Sequence, residues 1–129
     1  MQIHEIDLIV KEDDLDDLNH VNNVRYVQWV QDAAEAHWNL KATETIRNEF
    51  YWVMISHHIQ YKAEALLGDQ LLIKTYVTES KGVRSTRMVD IYNKATEQLL
   101  TSSTTIWCFM SMETHKPTRI PEEINQLFD

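Results

Sequence analysis

The sequence is poor in residues that interrupt regular structure. Its 129 residues include two glycines, two prolines and one cysteine. A single cysteine, Cys108, excludes an intramolecular disulfide, and its strand-like setting TIWCFM predicts a buried thiol in a reducing compartment. The two isolated glycines exclude a glycine-rich phosphate-binding loop. Because no repeat, low-complexity tract or linker interrupts the chain, we expect one domain spanning residues 1–129.

Long apolar runs and excess positive charge are missing as well. No run of about 18 apolar residues is present, and no charged-then-apolar leader opens the chain. We therefore expect a soluble protein without a membrane span that stays in the cytoplasm. With 20 acidic residues against 12 basic ones, the formal net charge is −8. This charge opposes attraction to phosphate backbones, which argues against nucleic acid as a partner.

The periodic pattern that is present predicts one long helix. Its start is marked by Asn22 or Asn23, either of which is a sound N-cap. Shorter helices are expected in ATETIRNEF and after Pro121. Apolar residues recur along the long helix at spacings of three and four, and the predicted stripe comprises Val24, Val27, Val30, Ala34 and Trp38.

Strands are expected on both sides of this helix. HEIDLIV precedes it, and four alternating segments follow from Tyr51 onward, with turns at Gly68, Gly82 and the Asn93–Lys94 pair. The run from residue 99 to 112 is expected to be a long strand that is buried along its second half. This order predicts an α+β architecture in which an antiparallel sheet covers the helix. In the first of the four segments, one face is predicted to carry Tyr51, Val53, Ile55, Ile59 and Tyr61.

The densest polar cluster lies directly before the long helix, in DLDDLNHVNNVRYVQW, residues 14–29. This stretch resembles the signature of hotdog-fold thioesterases of the 4-hydroxybenzoyl-CoA thioesterase type, in which D-x-D-x-x-G-H-V-N-N-x-x-Y precedes the central helix. It is also similar to the D-L-D-x-N-x-H-V-N-N segment of plant-type acyl-ACP thioesterases. The later segments HHIQYKAEALLGDQLLIKTYV, TTIWCFMSMET and KPTRIPEEI resemble the rest of the family in the same order. Asn19 stands where the family has glycine.

The resemblance implies a hotdog fold, with an antiparallel sheet of about five strands around one long central helix. It implies hydrolysis of an acyl-CoA or acyl-ACP thioester without a metal or organic cofactor, in a homodimer or a homotetramer. Asp16 would be the general base or the nucleophile, with His20 and Asn23 as further catalytic residues. The start of the helix would hold the oxyanion. The residues expected to bind substrate are Asn22, Tyr26, His58 and Arg84.

Each of these residues also has an ordinary interpretation. Asn22 and Asn23 could simply be capping residues of the helix. His20 could bond to a carbonyl group, and Tyr26 could be a core residue. Three bases could contact a CoA phosphate or could simply be solvated, namely Arg84, Arg87 and Lys62. The acids Asp13, Asp14 and Asp17 could likewise be solvated. For the whole chain, the alternative is a hotdog domain that binds an acyl thioester or a partner protein without turnover. A hydratase or dehydratase is disfavoured because its usual histidine and acid lie in a different motif context.

Metal sites find no support in the spacing of these acids. A calcium loop that begins at Asp14 would need glycine at its sixth position and glutamate at its twelfth, where Asn19 and Arg25 stand. No H-E-x-x-H motif, paired C-x-x-C motif or nucleophile elbow occurs in the sequence.

Overall fold

The computed structural model describes residues 1–129, which form five strands, three α-helices and one short 3₁₀ helix (Glu12–Asp14). The strands and α-helices in chain order are β1 (His4–Ile9), α1 (Asn23–Lys41), α2 (Glu44–Glu49), β2 (Phe50–Tyr61), β3 (Gln70–Lys81), β4 (Arg84–Asn93), β5 (Leu99–Ser111) and α3 (Glu122–Gln126). The five strands form one antiparallel sheet in the order β1-β3-β4-β5-β2, so β1 and β2 are its two edges. The predicted α+β architecture, the short helices and the three turns are confirmed.

The long helix α1 begins where the sequence predicts it. Asn22 is its N-cap, and its side-chain oxygen accepts the N–H of Val24 at 3.0 Å. The predicted apolar stripe is only partly right, because Val24 is 70% exposed. The buried face is rotated toward two aromatic side chains, whose burial removes more apolar area from water than burial of valine does. This face consists of Tyr26, Trp29, Val30, Ala33, Ala34 and His37.

Strand β2 does not present the single apolar row that its sequence predicts. Its pairing with β5 is irregular at Ile55, where the register shifts. Before the shift, Trp52 packs inward, and after it Ile59 does. One extra residue exchanges the two faces of a strand. Val53 and Ile55 are consequently 44% and 45% exposed, and the predicted row is wrong.

Strand β5 is buried mainly along its first half, so the prediction for its second half is also wrong. Leu100 belongs to the main core cluster, together with the N-terminal half of α1. Thr101, Ser103 and Thr105 are buried as well, whereas in the second half only Phe109 is. Cys108 is half-buried and not fully buried as expected.

Two hydrophobic clusters lie at opposite ends of α1. The larger joins the N-terminal half of α1 to β1, β3 and β4, with Ile73 and Val89 among its members. The smaller contains Phe109, Ile120 and Ile124, and Trp38 packs against it. The larger cluster therefore fixes the start of α1, where the polar segment ends. None of the helices is long and apolar enough to cross a membrane.

Candidate active site

The polar segment before α1 folds into a short antiparallel loop, residues 14–22, which we call the acidic loop. Leu15 pairs with Val21 across it. The N–H of Asp16 donates to the carbonyl of His20 at 2.7 Å, and the N–H of Asn22 donates to the carbonyl of Asp14 at 2.9 Å. These bonds return the chain on itself, with Asp14 opposite Asn22 and Asp16 opposite His20, two residues before the helix cap.

The carboxylate of Asp16 is held by the backbone of the same loop. Its Oδ1 accepts the N–H of Leu18 at 2.9 Å and the N–H of His20 at 3.0 Å. Both bonds use one oxygen, so Oδ2 is not committed within the chain. A carboxylate held in this way is oriented and keeps a free oxygen, which a general base or a nucleophile requires.

Asn19 makes the tight turn of the acidic loop. Its φ of 62° lies in the left-handed region that favours glycine. Asparagine is one of the few other residues that adopt this conformation readily. This explains how asparagine can stand at the glycine position of the motif.

His20 reaches Asp16 through its backbone and not through its ring. Its side chain is 47% exposed, and Nδ1 lies 3.7 Å from Oε1 of Glu64. Glu64 belongs to the connection between β2 and β3, and the sequence offers no signal that it lies near the acidic loop. The structure thus adds a second carboxylate near the histidine, 44 positions away along the chain.

The start of α1 offers one free backbone donor. Asn22 accepts the N–H of Val24 with its side chain and the N–H of Arg25 with its carbonyl, at 3.0 and 2.8 Å. The N–H of Asn23, by contrast, has no acceptor in the chain. This donor lies at the positive end of a 19-residue helix, which is a suitable place for a developing negative charge.

Asp14 is a structural residue of the loop and not the solvated acid that the sequence suggests. Its Oδ2 accepts the N–H of Lys11 at 2.9 Å, and its Oδ1 lies 3.4 Å from Nε of Arg25. Its side chain is only 14% exposed. Asp13 and Asp17 are exposed, as the ordinary interpretation expects.

Tyr26 anchors the connection between β2 and β3 to α1. Its hydroxyl accepts the N–H of Ala65 at 3.1 Å, and its ring packs edge-on against Tyr61. Tyr26 is 3% exposed, and burial is the main cause that raises its pKa. Because Glu64 directly precedes Ala65, this bond also fixes Glu64 beside the acidic loop.

The structure does not bring Arg84 to the acidic loop of the same chain. Arg84 is exposed at the start of β4, whereas the end of the sheet near Tyr26 corresponds to Ile91. Seven strand residues separate the two ends, which is about 23 Å. His58 is exposed on the edge strand β2. Arg87 is buried and points to the opposite side of β4 from Arg84.

Two cavities flank α1, and neither includes Asp16. The larger cavity, of about 820 Å³, lies between α1 and the strands β1 and β3, and it reaches Asp14 and Trp29. The other, of about 350 Å³, lies at the far end of α1 around Trp38. Of the acidic loop, only Asp14 lines either of these two cavities.

Comparison with known proteins identifies the family of this chain. Residues 10–128 match the family model of the thioesterase-like superfamily. The chain belongs to this superfamily. A chloroplastic acyl-[acyl-carrier-protein] hydrolase of Cuphea viscosissima is 24% identical over 86 residues, which are 67% of this chain and 21% of that protein. This chain thus spans about a fifth of the length of the curated relatives that it matches.

Solved structures of thioesterase-like proteins share the whole fold. A 1,4-dihydroxy-2-naphthoyl-CoA thioesterase from Synechocystis superposes with a TM-score of 0.84 at 19% identity, covering 98% of this chain and 95% of that one. A probable thioesterase from Escherichia coli superposes with a TM-score of 0.82 at 20% identity, covering 95% and 94%. The predicted hotdog fold is confirmed. Membership of the superfamily supports hydrolysis of acyl thioesters as the general type of activity.

Proposed function

We propose that this protein hydrolyses an acyl-CoA or acyl-ACP thioester, with Asp16 as general base or nucleophile. The observation that carries the proposal is the carboxylate of Asp16, held by two backbone N–H groups through Oδ1 with Oδ2 uncommitted. It lies in the loop that leads directly into α1, whose first N–H, that of Asn23, has no acceptor. The attacking group would then come from this loop, and the group that stabilises the charge from the helix that the loop leads into.

Two routes use these groups equally well. In the first, Oδ2 takes a proton from water as the water oxygen attacks the thioester carbonyl carbon. The tetrahedral intermediate then expels the thiolate, which takes the proton back from Asp16. In the second, Oδ2 attacks that carbon, the thiolate leaves, and water hydrolyses the resulting anhydride. In both, the carbonyl oxygen becomes an oxyanion that the N–H of Asn23 can stabilise, aided by the helix dipole. The side chain of Asn22, which accepts the backbone N–H of Val24, fixes this helix start and leaves the chemistry to Asp16.

The substrate site is completed, in this proposal, by a second copy of the chain. The edge strand β2 has 12 residues and one unpaired backbone edge, and Val53 and Ile55 add exposed apolar side chains to the same strand. An exposed strand edge of this length favours pairing with another strand, and a two-fold axis is the commonest way to pair it. A homodimer joined along β2 would allow His58 and Arg84 to bind substrate next to the partner's acidic loop. A homotetramer would form by pairing of such dimers.

The relatives support both carriers without choosing between them. The Synechocystis structure is that of a CoA thioesterase, and the Cuphea protein is an acyl-carrier-protein hydrolase. We propose the cytoplasm as the compartment, because Cys108 is the only cysteine and has no disulfide partner.

A thiol-release assay tests the proposed activity. The purified protein is incubated with acyl-CoA esters of short, medium and long chain, one aryl-CoA ester and one acyl-ACP. Saturable release of free thiol from at least one of them supports hydrolysis. Saturable binding of an acyl thioester without release of thiol would instead support the alternative, a non-catalytic hotdog domain that binds acyl thioesters.

A further inference from the structure

The cavity of about 350 Å³ at the far end of α1 is lined by aromatic side chains around one buried cation. Trp38 of α1, Trp52 of β2 and Trp107 of β5 contribute indole rings, and Phe128 follows α3. Arg87 of β4 lines the same cavity and is 6% exposed. We call this cavity the arginine pocket.

The guanidinium of Arg87 has no anionic partner in the chain, since Glu35, the one carboxylate that lines the cavity, is exposed and forms no ion pair with it. Its hydrogen bonds both use Nη1, which lies 2.9 Å from Nδ1 of His37 and 3.0 Å from Oγ1 of Thr75. None of the three ion pairs of the chain includes it. A guanidinium has five N–H donors in a fixed fork, so Nε and Nη2 keep their donors uncommitted.

His37 does not neutralise this cation. Its Nδ1 must accept from the guanidinium, which requires the neutral imidazole. Burial, together with the charge of Arg87, lowers the pKa of His37 to about 4. Burial also lowers the pKa of Arg87 to about 10, so Arg87 is positively charged near neutral pH. A buried cation without a counter-ion is costly. The ring of Phe128, whose centroid lies 5.3 Å from Cζ of Arg87, offsets part of that cost, and an anionic ligand would offset more of it.

A second polar side chain with an unsatisfied atom lines the same pocket. Asn125 of α3 lines the arginine pocket, and its Oδ1 is buried without a hydrogen-bond partner. A side-chain amide can turn to present either its oxygen or its NH₂ group. Asn125 can therefore accept from a ligand hydroxyl or donate to a ligand carboxylate, whereas the surrounding indoles provide an apolar wall.

We propose that the arginine pocket binds a monocarboxylic acid with an apolar body, whose carboxylate pairs with Nε and Nη2 of Arg87. A planar carboxylate matches the fork of a guanidinium and can accept two parallel bonds from it. The apolar body would lie among the indoles of Trp38, Trp52 and Trp107. The cavity holds roughly a dozen water volumes, so the acid is of short or medium length and carries no pantetheine.

The arginine pocket is separate from the proposed hydrolytic site. Trp38 lies 15 residues beyond Asn23 on the same helix, which is about 22 Å along the axis. No residue of the acidic loop lines the pocket. Binding there goes beyond the hydrolytic reaction, and it does not depend on whether Asp16 is catalytic.

The four tryptophans of the chain provide a built-in test of location. Three of them line the arginine pocket, whereas Trp29 lines the other large cavity. The indole N–H resonances of ¹⁵N-labelled protein are assigned with single Trp→Phe variants and followed during titration with octanoate and with 2-naphthoate. We expect the resonances of Trp38, Trp52 and Trp107 to shift in a saturable way and that of Trp29 to stay in place. The two acids distinguish a straight-chain body from a planar one.

Neutral ligands of the same shape test the role of the charge. Octanamide and 2-naphthamide are titrated in parallel, and we expect at least one of the acids to bind at least tenfold more tightly than its amide. Arg87→Met should abolish this preference, and Asp16→Asn should retain it. Equal affinity for acid and amide, a shift confined to Trp29, or no saturable shift at millimolar acid would overturn the proposal. The comparison of acid and amide binding to the wild-type protein tests the proposal even if Arg87→Met does not fold. Its readouts are independent of any thioesterase assay.

Discussion

The carboxylate of Asp16 accepts the backbone N–H of His20 at 3.0 Å, within a loop that returns directly to the start of α1. Asparagine at position 16 would keep the Oδ1 acceptor for this bond and for the N–H of Leu18, and would lose only the basic oxygen. We expect Asp16→Asn to lower kcat about 10² to 10⁴-fold on the best acyl thioester, measured by thiol release. Folding should be retained.

Asp17→Asn is the matched control for this experiment. Asp17 is the next residue, is exposed, and makes no side-chain hydrogen bond in the loop. The Asp17→Asn variant should therefore keep near-normal turnover. Asp14→Asn is a poor control, because Asp14 holds Lys11 and Arg25. Full activity of Asp16→Asn would rule out the carboxylate mechanism.

The free N–H of Asn23 can be removed without disturbing the helix. Proline is tolerated at the first helical position, where its missing N–H breaks no helical bond. Asn22 already has a φ of −62° and a ψ of 132°, the extended conformation that a following proline requires. We expect Asn23→Pro to lower kcat about 10² to 10³-fold, as loss of an oxyanion donor does, with little change in helix content by circular dichroism.

Asn23→Ala separates the backbone donor from the side chain. It keeps the N–H and removes the amide, so it should retain most of the activity if the oxyanion is held by the backbone. If the alanine and proline variants lose activity equally, the side chain of Asn23 is the active group and the backbone proposal is wrong.

Local sequence patterns predicted the parts of the fold that depend on neighbouring residues. The N-cap at Asn22, the turns and the order of elements follow from signals within a few positions. The irregularity of β2 at Ile55 could not be predicted, because it arises from pairing with β5, about 50 residues later. The same holds for the burial of β5, which depends on where α1 crosses the sheet.

The candidate site also combines features that local sequence patterns can predict with features that depend on residues far apart in the chain. Asp16 differs from Asp13 and Asp17 by its partial burial and by the backbone bonds that its carboxylate accepts. Composition cannot reveal either property, so the selection of Asp16 depended on the family resemblance. The proximity of Glu64 to His20 and the pairing of Arg87 with His37 join residues 44 and 50 positions apart. No local pattern contains that information.

The exposed edge of β2 leads us to expect a homodimer. We expect light scattering at micromolar concentration to give at least twice the chain mass of 15.3 kDa. Ile55→Lys should weaken the dimer, because a charge on the exposed edge of a strand opposes pairing. Met1→Lys, at an exposed position away from β2, is the control for added charge. A wild-type protein that is monomeric under these conditions would exclude the composite substrate site.

The bond from Ala65 to Tyr26 should contribute measurably to stability. Tyr26→Phe removes the acceptor and leaves the N–H of the fully buried Ala65 unsatisfied. We expect the free energy of unfolding to fall by about 1–3 kcal/mol in urea titrations. Tyr61→Phe, at a position that is 46% exposed, should cost much less. Equal losses would show that the hydroxyl of Tyr26 is not the stabilising group.

The buried pair of His37 and Arg87 should make stability depend on pH. His37 is 1% exposed, and burial and the charge of Arg87 lower its pKa from 6.5 to about 4 in the folded protein. Between these values the unfolded chain binds a proton that the folded chain does not, so stability is complete above about pH 6.5 and falls as the pH falls toward 4. The expected loss from this group is about 2 kcal/mol between pH 7.5 and pH 5.

His37→Gln isolates this contribution, because glutamine keeps an acceptor for Arg87 and does not titrate. The absolute stability of the variant can differ, since the stacking of His37 on His4 is lost. The informative quantity is the change in unfolding free energy from pH 7.5 to pH 5, measured by urea titration of both proteins. It should be about 2 kcal/mol smaller in His37→Gln than in the wild type, because the two proteins differ only at this position. Identical changes in the two proteins would mean that His37 has an ordinary pKa in the folded state, and the neutral imidazole beside Arg87 would have to be abandoned.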